Sequence, residues 1–172
     1  GFGITYIGWD MNLQTYIAIK EYFPESLAWR DSSVSLTKVM PNTSKKDVYD
    51  KGLKRYVEEA RNLSRFYDLQ GIVSVKDFFY ENGTGYIVME YINGVTLKEY
   101  LKNSGGRLNE ATVLGLMKPV LESLAQIHDS GLVHRDISPD NIMVDQKNRI
   151  KLIDFGAARV QASTEDKTYT VI

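Results

Sequence analysis

Residues 134–141 read His-Arg-Asp-Ile-Ser-Pro-Asp-Asn, and this stretch decides which fold the chain is expected to adopt. An Asp followed five residues later by an Asn lets one short loop present a proton acceptor and a metal ligand together. Asp136 and Asn141 are therefore the first candidate catalytic residues, and the rest of the chain is interpreted outward from them.

Two further short motifs lie on or beside predicted strands. Asp154-Phe155-Gly156 follows the apolar run 150–153, so its carboxylate emerges at a strand end where it could meet a metal ion. Ala18-Ile19-Lys20 lies on a strand and places an ammonium group where it can reach phosphates. Phosphoryl transfer needs charge around the phosphates, a held metal ion and a group that accepts the hydroxyl proton, and these motifs supply all three.

In this order the motifs resemble those of the protein kinase family: a Gly-rich loop, V-A-I-K, H-R-D-x-x-x-x-N and D-F-G. The resemblance covers the whole chain and points to a Hanks-type, eukaryotic-type Ser/Thr protein kinase domain. Some bacterial kinases are similar at residues 20–24, Lys-Glu-Tyr-Phe-Pro, and at Ser138. The resemblance implies an α+β, two-lobed kinase-like fold. It places the N-lobe, a β-sheet with one long helix, at residues 1–92, and the first part of a mainly helical C-lobe at residues 93–172.

The resemblance also implies an activity and the residues that carry it. The activity is transfer of the ATP γ-phosphate to a Ser or Thr hydroxyl of a protein substrate, with Mg²⁺-ATP bound between the lobes. Asp136 would accept the hydroxyl proton, Asn141 and Asp154 would hold Mg²⁺, and Lys20 would contact the α- and β-phosphates. Lys20 should also pair with a Glu on the long helix.

Glu59 is the preferred partner of Lys20. Glu59-Ala60 resembles the Glu-Ala pair that is usual in the family, and Glu59 shares a helix face with Leu63 one turn later. Glu58 is the rival, and it points about 100° away on a regular helix.

The remaining nucleotide-binding residues follow from the same resemblance. Met89 would be the gatekeeper before a hinge that meets adenine through its backbone, and Leu63, Val75, His134 and Phe155 would stack as a regulatory spine. Around the nucleotide we expect Gly1, Phe2 and Gly3 at the end of the Gly-rich loop, Thr5, Ala18 and Met143 at the adenine, and Glu90 and Ile92 in the hinge.

Three positions depart from the family pattern. Thr5 stands where the loop usually has Val, which trims the apolar cover over adenine. Ser138 stands where Ser/Thr kinases usually carry a Lys that steadies the γ-phosphate. Residues 24–46, which we call the insertion, lengthen the distance between Lys20 and Glu59 beyond what is usual.

Regulation is expected in the polar string 163–170, which reads as an activation loop rich in hydroxyl groups. Thr168 and Thr170 are the predicted phosphorylation sites. Arg135 is the predicted partner of the phosphate, since a guanidinium binds a phosphate through two hydrogen bonds.

Composition narrows the remaining classes of function. The chain has 172 residues, a net charge of −1 and no cysteine. There is no basic surplus for nucleic acid and no apolar run that could span a membrane, and disulfides and Cys-based zinc sites are excluded. We therefore expect a cytoplasmic domain, although the intact protein could be tethered to a membrane through other segments.

The chain opens with Gly1 and stops within the expected activation segment, so it is expected to be truncated at both ends and inactive alone. In that state the apolar side of the predicted helix at 109–129 and the underside of residues 142–144 should face water. Two alternatives stay open. A pseudokinase scaffold is disfavoured by the complete set of acids, but Ser138 keeps it possible. A kinase of amino sugars or choline usually has Gly where Arg135 stands and lacks Asp-Phe-Gly.

Periodicity predicts the individual elements. Alternating β-branched and aromatic residues predict strands, and apolar residues at steps of three and four predict helices. The predicted strands are 3–10, 16–23, 72–80 and 85–91. One long helix is predicted to begin near Ser44, with Asp47 as a capping-box partner. Two further helices are predicted at 96–103 and 109–129.

Overall fold

The computed structural model describes residues 3–31, 33 and 35–155, and the backbone of residues 159–160. Strands with one long helix come first and helices follow, which confirms the predicted α+β class. The strands are β1 (Gly3–Asp10), β2 (Thr15–Tyr22), β3 (Ala28–Trp29), β4 (Met40–Pro41), β5 (Val75–Glu81), β6 (Thr84–Glu90), β7 (Gly94–Thr96), β8 (Leu132–Val133), β9 (Ile142–Asp145), β10 (Ile150–Leu152) and β11 (Arg159–Val160). The α-helices are α1 (Lys46–Leu63), α2 (Leu97–Asn103) and α3 (Glu110–Asp129).

A four-stranded antiparallel sheet has the order β1-β2-β6-β5. The predicted hairpin of β1 and β2 is present, and its second strand is shifted by one residue toward the N-terminus. The Asp10 side chain begins the turn, because its Oδ1 accepts bonds from the backbone N–H groups of Asn12 and Leu13, both at 2.9 Å. In the β5–β6 turn, Asn82 and Gly83 have φ angles of 52° and 74°, the left-handed pair that tight hairpins favour.

Strand β5 is shorter than predicted at its start. Residues 72–74 were expected to belong to it, but Ile72 instead forms a parallel bridge with Leu152. The N–H of Val73 donates to the Leu152 carbonyl at 3.0 Å. Because these backbone groups bond to β10, they are not available to β6, and the strand begins only at Val75.

Helix α1 lays an apolar stripe against the sheet, as predicted, but both of its ends differ from expectation. The helix begins at Lys46, after a 3₁₀ turn over Thr43–Lys45, and no side chain caps it. The predicted capping box with Asp47 is therefore wrong, because the 3₁₀ turn already uses the backbone around Lys45. The spacing of apolar residues predicts a stripe of Leu53, Tyr56, Ala60, Leu63 and Tyr67. The helix ends at Leu63, so Tyr67 lies beyond it and is 70% exposed.

Helix α3 begins after Asn109, whose side chain accepts a bond from the N–H of Thr112 at 2.9 Å. The helix packs on β8 and β10, and Val120 and Ile127 are fully buried there. The expectation that this apolar side faces water is therefore wrong for Val120, Leu124 and Ile127, whereas Val113 at its start is 40% exposed.

Residues 142–144 were also expected to face water. Ile142 and Val144 are instead buried in strand β9, so that expectation is wrong as well. In the described part of the chain, strands β8 and β10 pack on α3 and enclose most of its apolar side. None of the helices in the described part of the chain is long and apolar enough to cross a membrane.

Truncation of Ile127 to Ala should destabilise the protein by about 2 to 5 kcal/mol, since it leaves a cavity in a closed core. Leu121 lies on the same helix and is 57% exposed, so Leu121→Ala should change stability by less than about 0.5 kcal/mol. Urea unfolding of both variants checks this. Equal losses would show that the α3 face assigned here to the core is wrong.

Candidate functional site

A cavity of about 240 Å³ lies between the four-stranded sheet and the strands β9 and β10. It brings together residues that are distant in the chain and that the sequence singled out for nucleotide or metal binding. These residues are Thr5, Ala18, Lys20, Met89, Glu90, Ile92, Asn141, Met143 and Asp154.

Three further residues line this cavity and were not singled out: Ile7, Val73 and Ile153. Tyr91 also lines it, as the middle residue of the predicted hinge from Glu90 to Ile92. Strand alternation could have identified Ile7, because it lies two residues after Thr5 and so shares its face. Val73 could not be found this way, since its place depends on the pairing of residues 71–73 with β10.

Some predicted residues lie outside the cavity lining. Gly3, Glu59 and Asp136 are described but do not line it, whereas Gly1, Phe2, Thr168 and Thr170 lie outside the described residues. At Gly3 a side chain is excluded, because a Cβ there would come within 2.1 Å of the Glu21 carbonyl oxygen. This close approach lets β1 pair with β2 up to the start of the strand.

Lys20 joins the sheet to the loop after β10. Its ammonium group forms an ion pair with Asp154, and its side chain is only 14% exposed. Helix α1 holds the same point of β2 from the other side, because the Tyr56 hydroxyl donates to the Lys20 carbonyl oxygen at 2.9 Å. Burial raises the pKa of Tyr56, and the charges of Glu59, Asp154 and Glu21 add to this, so the hydroxyl stays a donor.

The two candidate glutamates differ in environment. Glu59 is half-buried on the side of α1 that carries Tyr56, whereas Glu58 is exposed. This difference favours Glu59 as the partner of Lys20. The ion pair itself stays a prediction.

Asp136 and Asn141 are brought together as the motif predicted. The Asn141 amide Nδ2 donates to the Asp136 carboxylate at 2.8 Å and to the Asp136 carbonyl oxygen at 2.9 Å. Because the nitrogen is used in this way, the amide oxygen of Asn141 is the atom that can meet a cation. One side chain thus both fixes the candidate base and offers a metal ligand.

Arg135 and Asp154 have left-handed backbone conformations, with φ angles of 67° and 58°. For residues with a Cβ this costs about 1 to 2 kcal/mol each. Both lie in the predicted catalytic motifs, and the surrounding packing maintains them. The sequence motif carries no signal of this conformation, since neither residue is a glycine.

His134 is fully buried beneath these two loops. Its ring lies 4.3 Å from the Phe155 ring, centroid to centroid. Nδ1 accepts the N–H of Asp136 at 3.2 Å, so Nε2 carries the proton and faces the Ile153 carbonyl oxygen at 3.3 Å. Burial lowers the pKa of His134, and the neutral ring therefore holds the backbone of Asp136.

The predicted spine of Leu63, Val75, His134 and Phe155 lies inside the protein. Each of these residues is at most 6% exposed. Leu63, Val75 and Phe155 belong to one apolar cluster, and His134 joins it through its contact with Phe155. These four buried side chains connect the candidate catalytic loop, which carries His134, to α1 and to the sheet.

Glu90 lines the cavity, but its side chain is engaged with groups of the neighbouring segments. The carboxylate accepts the N–H of Ser74 at 2.7 Å and the ammonium group of Lys151 at 2.6 Å. Lys151 also donates to the Ile72 carbonyl oxygen at 3.3 Å. The backbone N–H of Glu90 is also engaged, since it donates to the Ser74 carbonyl oxygen at 3.0 Å. The hinge prediction therefore concerns the carbonyl oxygen of Glu90.

Comparisons with known proteins agree with this geometry. The protein kinase domain family matches residues 27–172. The serine/threonine-protein kinase PrkC of Bacillus subtilis is 40% identical over 112 residues, which are 65% of this chain and 17% of that protein. Serine/threonine-protein kinase pkn3 of Myxococcus xanthus is 36% identical over 138 residues, 77% of this chain and 24% of that protein.

Among solved structures, the apo form of PpkA-294 superposes with a TM-score of 0.81 at 36% identity. The superposition covers 91% of this chain and 54% of that chain, and it confirms the predicted kinase-like fold.

The buried neutral state of His134 predicts a pH dependence of stability. Its pKa in the folded state lies below the ordinary value of 6.5, so the unfolded chain takes up the proton first as the pH falls. The free energy of unfolding should therefore fall below pH 6.5 and level off once the folded state also binds the proton.

Urea unfolding between about pH 7.5 and pH 5.5 measures this contribution, which His134→Gln should remove. The only other histidine of the chain, His128, is exposed, and His128→Gln should keep the wild-type slope. Equal pH slopes in the wild type and His134→Gln would contradict the assignment.

Proposed function

Because this chain belongs to the protein kinase domain family, we propose that the intact protein transfers the ATP γ-phosphate to Ser or Thr hydroxyls of protein substrates. One observation carries the proposal: a single cavity gathers Lys20, Asn141 and Asp154, with Asp136 bonded to Asn141 at its edge. The chain spans 17% and 24% of the length of two curated relatives, so the activity concerns the intact protein. Both relatives are named as serine/threonine-protein kinases.

The part of the cavity lined by Ile7, Ala18 and Met143 suits a purine. Ala18 and Met143 offer apolar surfaces from the sheet and from β9, and Ile7 adds to the cover. The hinge would offer the Glu90 carbonyl oxygen and the backbone groups of Ile92 for hydrogen bonds, since the Glu90 N–H donates to Ser74. Purine rings bind well where flat apolar walls meet a few polar groups that fix their orientation.

The part of the cavity lined by Lys20, Asn141 and Asp154 suits phosphates and Mg²⁺. Within the described residues, no three His, Cys, Asp or Glu side chains converge on one point. Mg²⁺ commonly binds through one or two protein oxygens together with substrate phosphates, and Asp154 and Asn141 fit that requirement. When bound, the ion would offset the charge of the phosphate oxygens. Lys20 lies beside Asp154 and is positioned to bind the α- and β-phosphates.

Asp136 is the proposed proton acceptor. As the substrate hydroxyl oxygen forms its bond to the γ-phosphorus, its proton passes to the Asp136 carboxylate and the bond to the leaving ADP breaks. Asn141 and His134 hold Asp136 in place. The Asn141 amide donates to the Asp136 carboxylate, and His134 Nδ1 accepts the backbone N–H of Asp136. At position 138 the serine can offer only a neutral hydrogen bond where the family usually has a cation.

We further propose the division into lobes at residues 1–92 and 93–172, with the cavity between them. Regulation would use Arg135, which is exposed beside Asp136. A phosphate on Thr168 or Thr170 is its proposed ligand. We place the activity in the cytoplasm, where ATP is available, with a membrane tether of the intact protein as a variant of this proposal.

The proton-acceptor role predicts the behaviour of Asp136→Asn. Turnover with a generic protein substrate should fall by about 10²- to 10⁴-fold, because no base remains. The affinity for Mg²⁺-ATP should stay within a fewfold, because the phosphate and metal ligands are intact. Asp140→Asn is the matched control, since the Asp140 side chain is 60% exposed and pairs with Lys98 at the surface.

Steady-state kinetics and nucleotide binding of the intact protein test this. Near-normal turnover of Asp136→Asn would show that the role is misassigned. Amino sugars assayed in parallel should not be phosphorylated, and their turnover would replace the proposed substrate class.

The Lys20–Glu59 pair predicts a non-additive double variant. Lys20→Met and Glu59→Gln should each lower activity, and the double variant should lose little more than the stronger single change, since both break one arrangement. Glu58→Gln serves as the neighbouring control and should remain close to wild type. Additive losses, or a larger effect of Glu58→Gln, would identify the wrong glutamate.

A further inference from the structure

Strands β1 and β2 carry different side chains on their two faces. Thr5 and Ile7 line the nucleotide cavity, and strand alternation turns the intervening Tyr6 to the opposite face. In the same way Lys20 lines the cavity, and Glu21 lies on the opposite face. We call this opposite side the outer face. The insertion lies against it.

A buried carboxylate lies at the centre of the outer face. Glu21 is 0% exposed, although it is charged and lies in a sheet. Its oxygens accept the hydroxyl of Tyr6 at 2.8 Å, the hydroxyl of Tyr86 at 3.0 Å and a guanidinium N–H of Arg30. Burial and the bond to Glu21 raise the pKa of Tyr6, so the Tyr6 hydroxyl remains a donor.

Arg30 belongs to the insertion and connects it to both strands. Besides Glu21, its guanidinium donates to the Thr37 carbonyl oxygen at 3.2 Å and to the Tyr6 hydroxyl at 3.3 Å. It also lies 4.8 Å from the centroid of the Phe23 ring. The Arg30 side chain thus connects two parts of the insertion, at residues 30 and 37, to strands β1 and β2.

Glu21 needs this partner for a physical reason. A carboxylate without access to water must be compensated by an opposite charge and by hydrogen bonds. Tyr6 and Tyr86 supply two neutral donors, and among the described residues Arg30 alone pairs a positive charge with Glu21. Loss of Arg30 would leave the buried Glu21 carboxylate without its opposite charge. The carboxylate would then move toward water, and Tyr6 would lose its fixed acceptor.

We propose that the insertion braces the strands that cover the nucleotide, with Arg30 as a positioning residue that acts through Glu21 and Tyr6. Tyr6 fixes β1, and therefore Thr5 and Ile7, over the bound nucleotide. The inference rests on the proposed function, since it concerns nucleotide binding in the same cavity. It gives the insertion a role that the catalytic motifs do not.

Arg30→Met in the intact protein tests the brace. We expect the dissociation constant and the KM for Mg²⁺-ATP to rise by between about threefold and thirtyfold. Turnover at saturating nucleotide should change by less than about twofold, because the reacting groups are untouched. Tyr6→Phe removes only one hydroxyl and should raise the same constants by a smaller factor. It carries the test if Arg30→Met does not fold.

Two matched controls exist on the same part of the molecule. Arg65→Met removes an exposed guanidinium, and Tyr80→Phe removes an exposed phenol hydroxyl from the neighbouring strand β5. Both should keep wild-type constants. Unchanged nucleotide affinity in Arg30→Met and Tyr6→Phe would overturn the proposal.

The double variant Glu21→Gln/Arg30→Met separates positioning from stability. It removes the buried charge, so the thermal midpoint should recover relative to Arg30→Met, while nucleotide affinity should stay reduced. Affinity that recovers with the midpoint would reduce Arg30 to a structural role and overturn the brace.

Nucleotide binding is measured on every protein independently of phosphoryl transfer. A wild type that binds nucleotide but phosphorylates nothing would defeat the proposed function, and the binding constants would still decide the brace. A wild type that phosphorylates normally beside unaffected variants would defeat only the brace.

Discussion

The cleft depends on a short parallel pairing between the segment after α1 and strand β10. The N–H of Leu152 donates to the Gly71 carbonyl oxygen at 2.8 Å, and the N–H of Val73 donates back to Leu152 at 3.0 Å. Leu152 and Ile72 are almost completely buried, so water does not compete for these bonds. Because Asp154 follows Leu152 by two residues, this pairing sets where its carboxylate meets the sheet.

The same junction is held from the helical side. The Ser123 hydroxyl donates to the Pro119 carbonyl oxygen at 2.7 Å and accepts the N–H of Gly71 at 3.0 Å. At the end of β6, the Glu90 carboxylate pairs with the ammonium group of Lys151, and this ion pair links β6 to β10. The position of Asp154 relative to the sheet therefore depends on several bonds together. They are the pairing of residues 71–73 with β10, the bond from Gly71 to Ser123, and the Glu90–Lys151 ion pair.

The residues nearest the proposed chemistry occupy unfavourable states that the surrounding core maintains. Two of them have left-handed backbones, His134 is buried and neutral, and Glu21 is a buried charge immediately after Lys20. Each state is costly in isolation, and each is offset by specific partners such as Arg30. The costs fall on the two candidate catalytic loops and on the strand that carries Lys20, where the proposed phosphoryl transfer would need charges to be placed accurately.

The sequence by itself determined the α+β class and the order of the main strands and helices, because strand and helix periods are local properties. Most of the cavity lining was predicted through the resemblance of the motifs to those of protein kinases, and not from periodicity. It did not determine where β5 begins, that no side chain caps α1, that most of the apolar side of α3 is covered, or that Arg30 neutralises Glu21. Tertiary structure decided these points, because backbone groups and buried charges choose partners that are distant in the chain. Periodicity describes one segment at a time, whereas the pairing of residues 71–73 with β10 and the burial of Glu21 arise only when separate segments exclude water together.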